Sequence, residues 1–177
     1  IECVDEIADA AGRKAEVSAI TEAAMRGEIA DYKDSLRRRV ALLEGVSVDS
    51  MEDVYHERLR LNPGAARLVQ ACKAAGLKVL LVSGGFTFFT DRVQGELGID
   101  YTRSNVLEIK NGLLTGRMLD QPWGDICDGA EKCKMLLQTC EMLDIEPGQA
   151  IAMGDGANDL PMMGVAGLSV AYHAKPI

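Results

Sequence analysis

Up to about residue 60 the apolar positions recur at helical spacing, as in Leu36, Val40 and Leu43 or Ile20, Ala24 and Met25, and no run alternates as a strand would. Glycines supply the stops. A first helix over residues 4–11 ends at Gly12, a second reaches Met25 ahead of Gly27, and a third covers about 31–43 ahead of Gly45. A fourth starts near Ser50 or Met51 and ends before Pro63. From there strand-like runs alternate with helical stretches, the pattern of a parallel α/β sheet. The expected order is helix 64–75, buried strand 78–82, helix 86–97, a hairpin of 106–109 and 113–118, helix 128–143, strand 150–153, helix 160–165 and strand 168–172. Asn111-Gly112 between apolar runs is the hairpin signal. The division is therefore a small helical unit, residues 1–62, and an α/β unit, residues 63–177.

Composition narrows the classes. Hydrophobic residues make up 47% and charged residues 26% of the 177 positions, so the chain should fold. Nineteen basic against 27 acidic residues give a charge of -8, which argues against nucleic acid or an anionic membrane as the main partner. The longest apolar runs, as at 79–82, fall far short of the roughly 20 residues of a membrane span. Five scattered cysteines, none in a C-x-x-C pair, point to neither a disulfide frame nor a zinc knuckle and favour a reducing cytoplasm. The oligomeric state has no signal. The chain opens at Ile1 without Met or a signal-peptide pattern and reads as an excised piece.

Ligands of open parallel sheets collect beyond the carboxyl ends of the strands. Two turns lie there. Ser83-Gly84-Gly85 brings a hydroxyl and closely spaced N–H groups to a helix N-terminus, a ready anion site, although from the motif alone a capping serine with a glycine turn is the commoner reading. Gly154-Asp155-Gly156-Ala157-Asn158-Asp159 places two carboxylates and an amide in one loop, hard oxygen donors suited to Mg2+. Asp159 could equally cap the next helix, whereas Asp155, between two glycines, has no capping duty. His56 and His173 lack a second ligand at metal spacing, and Trp123, Met25 and Tyr32 read as packing residues, the last two on the face that could shield a ligand.

These motifs resemble the haloacid dehalogenase-type phosphatases. The likeness rests on Ser83-Gly84-Gly85, a lysine about two dozen residues before Asp155, and the string Gly154 to Met162. It continues through Glu2 to Ala8, Leu36-Arg37-Arg38-Arg39-Val40, Ser83 to Phe89 and Ala171 to Pro176, narrowing to the branch that hydrolyses O-phosphoserine in serine biosynthesis. The resemblance implies an α/β Rossmannoid parallel-sheet core with a small helical cap. It also implies a Mg2+-dependent phosphomonoesterase that passes through an aspartyl-phosphate. By that similarity the Ser83 hydroxyl and the Gly84 N–H hold phosphoryl oxygens, Lys132 neutralises them, Asp155 binds the metal, and Asn158 and Asp159 position phosphate and metal-bound water. Fixed donors, a cation and a metal are most of what phosphoryl transfer needs. Lys132 is preferred to Lys134 because it has the family's spacing to Asp155 and follows a family-like Gly-Asp-Ile at 124–126.

Glu2 matches the family's ligand for the substrate ammonium, and Arg39 its ligand for the carboxylate. Helix geometry agrees: with Leu36, Val40 and Leu43 turned inward, Arg38 points away while Arg37 and Arg39 flank the seam. The family's Asp-x-Asp-x-Thr is expected ahead of Glu2, and no Asp-x-Asp occurs in the 177 residues, so the nucleophile and the general acid are expected upstream and these residues alone are expected to be inactive. Phosphoryl transfer to homoserine, hydrolysis of another small phosphomonoester and a non-catalytic phosphate-binding remnant are the alternative readings.

Overall fold

The computed structural model describes residues 2–122 and 124–176, which leaves Trp123 outside the described residues. The helical part is α1 (Cys3–Ala10), α2 (Lys14–Met25), α3 (Tyr32–Ala41) and α4 (Val48–Asp53), the last running on into a π-helical turn, Val54–Arg58. Asp31 caps α3 by accepting from the Lys33 N–H at 3.0 Å, and Ser47 caps α4 by accepting from Ser50 at 3.1 Å. The fourth helix thus starts earlier than its apolar pattern suggests, because the cap residue, not the first apolar side chain, sets the start.

After α5 (Ala65–Ala74) come β1 (Leu80–Phe86), α6 (Thr87–Leu97), β2 (Tyr101–Lys110) and β3 (Leu113–Leu119). They are followed by α7 (Gly129–Met142), β4 (Ile151–Gly154), α8 (Leu160–Val165) and β5 (Leu168–Ala171). β2 pairs parallel with β1 through its first half and antiparallel with β3 through its second, so a single strand serves sheet and hairpin. The hairpin turn has φ of 53° at Asn111 and 74° at Gly112, the two left-handed residues that an Asn-Gly turn supplies. β4 and β5 form a separate parallel pair, so among the described residues the expected sheet is hydrogen-bonded in two pieces.

The apolar core is also in two parts. Ile7, Val17, Leu36, Val40, Leu43, Met51 and Val54 of the helical unit pack with Phe86 and Phe89 and with Leu107 and Leu114 of the hairpin. Leu136, Cys140, Ala152 and Met162 form the second cluster, between α7, β4 and α8. The helical unit is tied to the hairpin through backbone as well: Gly45 donates to the Leu114 carbonyl at 2.8 Å and Val48 to that of Gly112 at 2.9 Å. All five cysteines are free thiols, and no helix among the described residues is long and apolar enough to cross a membrane.

Candidate active site

Ser83, Gly84 and Gly85 do not form a turn after β1; the strand continues through them to Phe86. Pairing is interrupted there, with Val82 opposite Arg103 and Phe86 opposite Asn105, so four steps along β1 match two along β2. This bulge turns the Ser-Gly-Gly groups out of the ladder. The Ser83 Oγ accepts from the Gly85 N–H at 3.0 Å, which leaves its own O–H to donate elsewhere.

Asn105 joins this bulge to the loop before α7. Its Nδ2 donates to the Gly84 carbonyl at 3.1 Å, and its Oδ1 accepts from the Cys127 N–H at 2.8 Å. Arg103 braces the same loop, donating to the Asp125 carbonyl and, at 2.7 Å, to that of Ser104, with Glu131 at 3.7 Å. Neither residue stood out in the sequence. The available signal was the polar run Thr102 to Asn105 within a strand whose residues 103–105 are buried, since buried polar groups imply partners.

Lys132 lies in the second turn of α7, where Asp128 caps the helix by accepting from the Glu131 N–H at 2.9 Å. Lys132 is only 6% exposed, and its Nζ donates to Asp159 Oδ1 at 2.8 Å. Lys134, by contrast, is half-exposed beside Glu131 at 3.8 Å. Asp159 does not cap α8: its Oδ2 accepts from the N–H groups of Asp155 at 3.0 Å and Gly156 at 3.3 Å. Burial acts to raise its pKa, yet Lys132 and the two N–H groups outweigh burial and hold the carboxyl below its ordinary range.

Gly154 is required by contact, since a Cβ there would run into the Asp159 side chain. A Cβ on Gly129 would come 2.8 Å from the Asn158 carbonyl, so the start of α7 rests directly on the Asp-rich loop. Asp155 and Asn158 stay exposed at its mouth. Asp155 Oδ2 lies 3.6 Å from Lys175 Nζ, and the backbone N–H of Lys175 donates to the Asp155 carbonyl at 2.8 Å. Lys175 also approaches Glu2 at 4.0 Å and thereby connects the last segment to the start of α1.

No group of three or more acidic, imidazole or thiol side chains among the described residues forms a metal cage. Asp159 is already engaged, which leaves Asp155 as the open carboxylate of the loop. Its attraction of the Lys175 ammonium shows an oxygen suited to a cation. One carboxylate fits Mg2+ only as part of a ligand set completed by water, phosphate and further oxygens.

The helical unit overhangs this site. A Cβ on Gly84 would meet the Tyr32 hydroxyl at 3.0 Å and the Cys127 carbonyl at 3.4 Å, so the phenol sits directly on the Ser-Gly-Gly bulge. Burial above all raises the Tyr32 pKa; the Arg39 charge opposes this and the Glu2 charge adds to it. Met25, at 84% exposed, is not the packing residue its apolar character suggests. Arg39 is partly buried, whereas Arg37 and Arg38 are exposed and engage Asp125 at 3.8 Å and Asp34 at 2.9 Å. At the cap's rim Lys33 reaches Asp125 at 2.8 Å and Asp128 at 3.9 Å.

The chain is similar in sequence and fold to several known proteins. A phosphoserine phosphatase of Polaromonas sp. is 85% identical over 176 residues, which cover 99% of this chain and 75% of that protein. A crystal structure of a probable phosphoserine phosphatase from Vibrio cholerae superposes with a TM-score of 0.90 at 45% identity, covering 98% of this chain and 52% of its own, so the chain spans about half of that protein. A substrate-bound phosphoserine phosphatase complex superposes with a TM-score of 0.86 at 36% identity, over 99% of this chain and 80% of that one. The profile of the haloacid dehalogenase-like hydrolases matches residues 5–164, and the chain belongs to that family.

Proposed function

We propose that these residues form the phosphate-binding floor and the recognition roof of a Mg2+-dependent phosphatase acting on O-phosphoserine. The observation that carries the proposal is the buried Lys132–Asp159 pair set on the N–H groups of the Asp155 loop, with the Ser-Gly-Gly bulge tied through Asn105 to the loop before α7 and the Tyr32 hydroxyl lying on it. In this reading the Ser83 O–H and the Gly84 N–H donate to phosphoryl oxygens, and Asn158 adds its amide. Lys132, aimed by Asp159, supplies a fixed positive charge in a dry setting, where it acts more strongly than in water. Asp155 holds the metal, with Asp159 behind it fixing the loop. Mg2+, when bound, neutralises charge on the phosphoryl group and orients it.

Glu2 receives the substrate ammonium and Arg39 its carboxylate, while Tyr32 closes over the phosphate end and excludes water. With no Asp-x-Asp among the 177 residues, the attacking carboxylate and the proton for the serine oxygen come from outside them. Five free thiols fit a reducing cytoplasm as the site of action.

The test is substrate discrimination. Arg39→Ala in the full-length protein should lower kcat/KM for O-phosphoserine by about 10- to 100-fold, the worth of a charge-assisted contact, and leave phosphoethanolamine, which lacks the carboxylate, nearly unchanged. Equal losses on both substrates would contradict the assignment.

A further inference from the structure

Asp5 lies one turn beyond Glu2 on the same face of α1, and its Oδ1 is buried without a hydrogen-bond partner. A buried acceptor left unpaired costs about 1–3 kcal/mol, so such a group calls for an explanation. Within the same helical unit, Tyr32 and Arg39 stand seven residues apart on one face of α3, and the Tyr32 hydroxyl lies on the Ser-Gly-Gly bulge. Arg39 is partly buried, yet among the described residues its only hydrogen bond is from Nε to the Ser35 carbonyl at 3.4 Å, a long contact. Its terminal N–H groups meet no carboxylate within salt-bridge distance among the described residues. Burial raises the Asp5 pKa, and the Arg39 charge is the largest influence opposing it.

Resting on the phosphoserine reading, we infer that Asp5 is a positioning residue for Arg39. It takes one edge of the guanidinium fork, so that the other edge faces the substrate carboxylate. The guanidinium suits this task because its five donors lie in one plane and can serve two carboxylates at once. Turned toward Asp5, one edge of the Arg39 guanidinium would satisfy the orphaned oxygen and leave the remaining donors for the substrate. Asp5 itself does not touch substrate.

The experiment uses the full-length protein with Asp5→Asn, Arg39→Ala and the double variant. Asp5→Asn should raise the KM for O-phosphoserine about tenfold with kcat nearly unchanged, should leave phosphoethanolamine unaffected, and should add nothing in the Arg39→Ala background. Losses that multiply in the double variant, or that fall equally on both substrates, would overturn it. Nitrogen-15 spectra read the same claim without activity: the Arg39 Nε–H signal should be ordered in the parent and in Asp5→Glu, and broadened in Asp5→Asn. A signal indifferent to Asp5→Asn would overturn the inference. A parent that ignores O-phosphoserine yet shows the Asp5-dependent signal would overturn the substrate reading and retain the Asp5–Arg39 pairing.

Discussion

Lys132 and Asp159 concentrate the energetics of the site in one pair, each side chain less than a tenth exposed. Breaking a buried pair leaves an uncompensated charge, so Lys132→Met should cost about 3 kcal/mol, and Lys132→Met with Asp159→Asn should cost less than the sum of the single changes. Chemical denaturation measures both. The pair also fixes a pH dependence. The native carboxyl of Asp159 is held below its ordinary value of 3.8, so its contribution to stability is complete above that value and is lost as pH falls through the lowered native value. Tm followed from pH 6 to pH 2 should therefore fall further in the parent than in Asp159→Asn. Parallel curves would show that Asp159 does not carry the effect.

Among the elements, glycines separate contact from conformation. Gly154→Ala drives a methyl group into Asp159, whereas at Gly156 the nearest group is the movable Asn158 Oδ1, 3.1 Å away. Gly154→Ala should therefore abolish both Lys132–Asp159 pairing and turnover, and Gly156→Ala should be milder. Gly95 in α6 has open space around it, so Gly95→Ala should raise stability by roughly 0.5–1 kcal/mol, read as a shift in Tm. The same contrast explains what the sequence made legible. Helices of the cap could be read because their burial is one-sided and their stops are glycines, as at Gly12 with φ of 74°. The sequence pattern shows only the hairpin half of β2, because the other half carries Arg103 and Asn105, polar residues whose partners, Asp125, Gly84 and Cys127, are distant in sequence. Ser83 and Asp155 are marked in the sequence by their neighbouring glycines. The bulge that aims Ser83, and the use of Asp159 to hold Lys132 instead of capping α8, depend on pairing that no local pattern encodes.

At the scale of the whole molecule, two parallel strand pairs, β1–β2 and β4–β5, carry the site at their carboxyl ends, with no ladder shared between them among the described residues. Ile151, Met153 and Leu168 of the second pair are 57%, 44% and 57% exposed, and no residue of α5 is buried. Unpaired edges beside bare apolar faces favour association. We expect the 177-residue polypeptide by itself to aggregate and to show no phosphatase activity, and a polypeptide with an Asp-x-Asp strand placed ahead of it to regain solubility; light scattering and phosphate release check the two halves. In the proposed function Asp155, with Ser83 and Lys132, forms a metal-assisted phosphate site. Its most direct test is a Mg2+ titration of phosphate release from O-phosphoserine by the full-length protein and its Asp155→Asn variant. Loss of a charged ligand should shift the titration to higher Mg2+ and lower turnover together; an unchanged titration with full turnover would contradict it.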